Sequence, residues 1–72
     1  MTTTTAFFTR DGIEYRAHGA MGGADAAQNG LIVKRLDGRP LAGAQMQPGM
    51  VQTGVSDSLR RAALAALRKA NR

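Results

Sequence analysis

The sequence predicts a small α+β domain: an antiparallel sheet of about four to five short strands packed against one C-terminal amphipathic helix. Three observations lead there. Residues 56–72 carry apolar side chains at helical spacing. Two Asp-Gly pairs, Asp11-Gly12 and Asp37-Gly38, each sit between runs of strand-forming residues. The chain has 72 residues, room for a single domain only, spanning 1–72.

In chain order, 1–5 is a threonine run that is either a frayed tail or the start of the first strand. Residues 6–17 read as a hairpin closed at Asp11-Gly12, because a type I′ turn needs positive φ at both central positions. That closure pairs Arg10 with Ile13, Phe8 with Tyr15 and Ala6 with Ala17. Alternation then sets Phe8, Ile13 and Tyr15 on one face and Phe7, Thr9, Glu14 and Arg16 on the other. Phe7 is left on the polar face, where it either packs beneath the linker or meets a partner. Residues 18–30 read as a glycine-rich loop through Gly19, Gly22 and Gly23, with a short helical turn over 25–28 capped by Asp25 and ended at Asn29-Gly30.

Residues 31–36 form the most strand-like run, with Leu31, Ile32 and Val33 in succession. Closing at Asp37-Gly38 pairs Leu36 with Arg39 and Lys34 with Leu41, and Pro40 makes the returning strand short and peripheral. Residues 42–49 read as a loop with a Pro48-Gly49 turn. Residues 50–55 read as a last strand, with Gly54 marking a bulge or a close approach. Met21, Met46 and Met50 read as gap fillers.

The helix over 56–72 has Ser56 or Ser58 as its cap, and Asp57 at the positive end of its dipole. At 100° per residue Leu59, Ala62, Ala63, Ala66, Leu67 and Ala70 share one face, with Arg61, Arg68 and Arg72 opposite. Leu64 falls outside the apolar stripe. Two leucines and several alanines supply about 5 kcal/mol at ~25 cal/mol per Å², a thin contribution for a stable monomer. Leu64 is therefore a residue to bury in a dimer or a partner.

Composition narrows the function. The chain has no cysteine, which excludes disulfides and Cys-based zinc sites. With a single histidine, His18, a zinc site would have to lean on carboxylates, and none is expected. No nucleophile–base pair, carboxylate pair or metal set is legible, so an enzyme is not expected, and no cofactor either. The glycines of 18–30 match neither phosphate-binding fingerprint. The start of the chain has no basic region followed by a long apolar run, and no stretch approaches a membrane span, so a soluble, cytoplasmic protein is expected.

Ten Lys and Arg against five Asp and Glu give +5. Residues 1–55 contribute +1 and residues 56–72 contribute +4, through Arg60, Arg61, Arg68, Lys69 and Arg72 against Asp57. This excess favours partners of negative potential. The first functional expectation is a small non-enzymatic protein-binding module, of the kind a phage or plasmid encodes as a regulator or inhibitor. It would dock on a larger protein or nucleoprotein with an acidic surface, using Arg60, Arg61, Leu64, Arg68, Arg72 and Phe7. The alternative is a nucleic-acid-binding accessory protein using the arginine-rich helix. Against it, no strand alternates aromatic and basic residues as single-strand binders do. A homodimer is a further candidate.

Overall fold

The computed structural model of the protein describes residues 2–21, 30–49 and 51–70. Among these residues it is an α+β fold of five strands in two antiparallel sheets and one helix. In order these are β1 (Thr2–Arg10), β2 (Ile13–Met21), β3 (Ile32–Arg35), β4 (Gln45–Gln47), β5 (Val51–Thr53) and α1 (Asp57–Ala70). The first sheet has the order β1-β2-β3, and β4 and β5 form the second.

The Asp11-Gly12 turn forms as its chemistry dictates, with φ of 52° and 76°. It aligns Arg10 with Ile13, Phe8 with Tyr15 and Ala6 with Ala17, and the ladder continues to Thr2 opposite Met21. The threonine run is therefore strand. The Phe8 and Tyr15 rings stack with centroids 5.3 Å apart, a cross-strand contact worth about 0.2–1 kcal/mol.

Three expectations about the middle of the chain are corrected. Residues 18–21 are not loop but the end of β2. Gly19 is buried there because α1 crosses over it: a Cβ at this position would lie 3.3 Å from Leu67 Cδ1. The glycine serves a close approach rather than a turn. Second, the Asp37-Gly38 hairpin does not form. Only Gly38 of that pair has positive φ, and the Asp37 carboxylate folds the turn on itself. It accepts hydrogen bonds from Arg35 Nε and Nη2, at 3.1 and 2.6 Å, and from the Arg39 N–H. β3 pairs with β2 instead, Tyr15 opposite Arg35 and His18 opposite Ile32. That register brings Leu31 and Val33 onto the face already holding Tyr15 and Ala17. Third, Gln45–Gln47 is strand, paired with β5 around the Pro48-Gly49 turn. Gly54, at φ +83°, lies against the Gly43 carbonyl. Met46 is half exposed and fills no gap. The helical turn expected over 25–28 and residue Met50 lie outside the described residues.

The core consists of Ala6, Tyr15, Ala17, Leu31, Val33, Leu59, Ala63 and Leu67, flanked by Phe8, Ile13, Leu41, Val55, Leu64 and Ala66. Helix α1 lies on the face formed by even residues of β1 and odd residues of β2. Leu64, read as outside the stripe, packs against this core. Leu64 lies about 100° round the helix from Ala63 and is half-buried at the margin of the packed face, whose fully buried residues are Leu59, Ala63 and Leu67. Ala70 is left exposed.

Ser56 is the helix cap: its Oγ accepts the Leu59 N–H at 3.3 Å. Ser58 has a different task, its Oγ accepting from Arg10 Nη2 at 2.7 Å, which ties the first hairpin to the start of the helix. Ser56→Ala is expected to cost about 1 kcal/mol. A thermal melt would show it as a fall of roughly 4–8 °C for a domain of this size.

Candidate interaction surface

With α1 on one side of the sheet β1-β2-β3, the described residues leave the other side open. The side chains there follow from register alone, since alternate residues of a strand share a face. Phe7 stands opposite Arg16, and Arg16 opposite Lys34. These three make one row across three strands, all exposed, and Phe7 is 66% accessible. The expectation that Phe7 packs beneath the linker is thus replaced by an aromatic ring standing in solvent beside two cations. The next row is Thr5, His18 and Ile32, in which the Thr5 hydroxyl and His18 Nδ1 are hydrogen-bonded at 2.9 Å. On the other side lie Thr9, Glu14 and the exposed Leu36, whose N–H donates to the Glu14 carbonyl at 3.0 Å. Thr5, Arg16, His18, Ile32 and Lys34 line a shallow depression between the first two rows.

The predicted interaction residues do not form one surface. Arg61 and Arg68 are exposed on the outer side of α1, seven residues apart and hence aligned along the helix axis. Arg60 is half-buried, and Leu64 is turned inward. Phe7 is on the far side of the sheet from all four. Arg72 lies outside the described residues. The chain therefore presents two basic faces back to back, and only the sheet face combines charge with an aromatic ring. The strands hold no aromatic-basic alternation along their length. The pattern runs across them, and reading it requires the register of β3, whose Lys34 is 27 residues from Phe7, which local sequence does not specify.

The Arg35–Asp37 pair at the end of β3 holds its turn rather than a ligand. The Arg35 hydrogen bonds and the Arg39 N–H keep the Asp37 carboxyl below its ordinary value. Such a depressed group stabilises the fold above the unfolded-state value and loses that contribution as pH falls through the folded one. Its exposure keeps the contribution small.

Among the described residues no group of three or more His, Cys, Asp or Glu side chains is placed to hold a metal ion. No helix among them is long and apolar enough to cross a membrane. Neither a family model, a curated protein nor a solved structure matches the chain.

Proposed function

We propose that this chain is a small non-enzymatic binding module that docks on an acidic, partly apolar surface of a larger protein through the open face of its first sheet. The observation that carries this reading is the Phe7–Arg16–Lys34 row, with Ile32 and Leu36 beside it. An aromatic anchor among cations and aliphatic groups suits a protein surface with carboxylates around an apolar pocket, since aromatic and Arg residues carry much of the energy of such contacts. Cations at the margin speed and orient encounter. A regulator or inhibitor acts in this way, by occupying a surface rather than by chemistry. The outer arginines of α1, Arg61 and Arg68, supply a second basic field that adds to long-range attraction.

The same row favours a second reading, a single-stranded nucleic-acid platform. There a base stacks on Phe7 while Arg16 and Lys34 contact phosphates. One ring makes a short platform, and Glu14 in the adjacent row opposes phosphate, so this reading is placed second.

Selection of random peptides displayed on phage against the immobilised protein separates the two. The expected result is enrichment of peptides combining Asp or Glu with apolar residues. Their affinity should fall at least about ten-fold in Phe7→Ala and in the double variant Arg16→Glu, Lys34→Glu, and stay within about two-fold in Arg61→Glu, Arg68→Glu. Equal loss in the helix variant would move the docking surface to α1. No enrichment, together with salt-dependent binding of an oligothymidylate probe that Phe7→Ala weakens, would replace the first reading by the second.

A further inference from the structure

The two edges of the first sheet are treated differently. The short β3 edge is engaged at its buried residue: the Gln52 side chain lies against Val33, Oε1 accepting the Val33 N–H at 2.8 Å and Nε2 donating to the Val33 carbonyl at 3.0 Å. The β1 edge has no such cover among the described residues. It is nine residues long, contains no proline, and carries one charge, Arg10 at its end. Edge strands are usually protected by charges, prolines, bulges or short length, and β1 has none of these along its middle.

We infer that β1 pairs with β1 of a second copy of this chain, antiparallel and centred on Ala6, joining two three-stranded sheets into one continuous sheet.

The register follows from the hairpin. A two-residue turn is closed by a hydrogen-bonded pair, Arg10 with Ile13, and such pairs alternate along the ladder. Thr4, Ala6 and Phe8 therefore direct their backbone groups toward β2, while Thr3, Thr5, Phe7 and Thr9 direct both backbone groups outward. Only the register centred on Ala6 pairs every one of those outward groups, Thr3 with Thr9 and Thr5 with Phe7 in each copy. Sliding by two residues in either direction leaves at least one outward residue without a partner in the strand. The Ala6 residues of the two copies then meet as a non-hydrogen-bonded pair, where Cα atoms approach to ~4.5 Å and small side chains fit best. Each Arg10 faces a Thr2, so no like charges oppose each other along the seam.

The helices agree with this arrangement. Helix α1 starts beside Arg10 and passes over Gly19, which is opposite Thr4, so it runs antiparallel to β1. A two-fold axis perpendicular to the sheet keeps both helices on one face and sets them antiparallel. Beside β1 each helix presents a groove of about 720 Å³ walled by Ala62, Ala65, Ala66, Lys69 and Ala70, in which Lys69 is the one long helix side chain and stands at the end of the helix, away from the dimer axis at Ala6. Asp57 at the start of one helix comes toward Lys69 at the end of the other, and the helix dipoles oppose favourably.

The area is sufficient for a weak dimer. At ~3.4 Å per residue β1 runs about 30 Å, the longest dimension of the molecule, and the shortest dimension is 19 Å. A contact face of that outline buries roughly 1,200 Å² in total, the small end of specific interfaces. Area does not set affinity; with few large side chains along the seam, dissociation on the order of micromolar or weaker is expected.

Sedimentation equilibrium of the full chain from about 1 μM to about 500 μM, a range bracketing that affinity, tests this directly. The mass should double across the range. Amide exchange at Thr3, Thr5, Phe7 and Thr9 should slow at least about ten-fold at the upper end, while the Phe8 amide, already bonded to β2, is protected throughout. Thr5→Pro removes an outward N–H from an edge position that tolerates proline and should leave a folded monomer. Thr5→Val keeps the N–H and should still dimerise. A monomer at every concentration overturns the inference and leaves the edge to a strand of another protein. So does a dimer in which the four outward amides exchange freely, and this amide readout decides the matter should Thr5→Pro fail to fold.

Discussion

Leu67→Ala is expected to destabilise the protein by about 3 kcal/mol, within the ~2–5 kcal/mol range of such truncations in cores. Leu67 is fully buried and its Cδ1 lies over Gly19 of β2. Its neighbours have little freedom to collapse into the space, since the facing position has no side chain at all. A 72-residue domain has roughly 4–11 kcal/mol of stability in total, so this single change removes a large share of it. Urea unfolding should show a lower midpoint at unchanged slope. Leu64→Ala, at the half-buried flank, should cost about 1 kcal/mol. Equal costs at the two positions would mean that the helix presents a different face to the sheet.

The second large effect is expected at Gln52. This side chain bridges β5 to β3 by engaging both the N–H and the carbonyl of Val33, and it does so with one amide group. Val33 is 1% accessible, so water has little access to the groups that Gln52→Ala would leave without partners. Leaving buried polar groups unsatisfied costs about 1–3 kcal/mol. The Val33 amide should lose its protection against exchange, and the melting temperature should fall by roughly 4–8 °C per kcal/mol. Gln52→Glu separates the two bonds. Its carboxylate still accepts the Val33 N–H but meets the Val33 carbonyl with a second acceptor, so at neutral pH it should be as damaging as alanine. Acidification protonates the carboxyl and restores a donor, so its deficit relative to the native chain should shrink as pH falls.

What could be read from the sequence, and what could not, divides by the range of the interactions. The first hairpin is legible because Asp11-Gly12 settles its register within the turn itself, and the Phe8–Tyr15 pair follows from counting outward. The helix is legible because periodicity and a serine cap are local signals. Asp37-Gly38 carries the same dipeptide, yet there the aspartate side chain is engaged by Arg35 and the following N–H, and Pro40 removes a ladder donor. Turn chemistry alone does not distinguish these two outcomes. The strand character of 18–21 was hidden because Gly19 reads as flexibility when its neighbour across the core is unknown. The helix does bury the stripe that periodicity picks out, through Leu59, Ala63 and Leu67, and the partial burial of Leu64 at its margin depends on neighbours that a helical wheel does not contain.

The candidate surface was the least legible part. Alternation alone sets Phe7 on the face away from Tyr15, but its neighbours Arg16 and Lys34 come from two other strands. The arginines of α1 were expected to act with Phe7, and the sheet stands between them. Gln52 gave no sign of its task, because a glutamine in MVQTGV reads as an ordinary polar strand residue. Its role exists only once β3 is in place beside it.

The glutamine over Val33 also limits how far the molecule can grow. A sheet with two joinable edges adds copies without end, each new strand exposing another like it, and the product is a fibre. A sheet with one joinable edge consumes that edge on first contact and closes as a symmetric pair. By occupying the Val33 backbone with both ends of its amide, Gln52 takes one outward pair away from the four-residue β3 edge and so favours a closed pair over a growing array, besides tying the two sheets together.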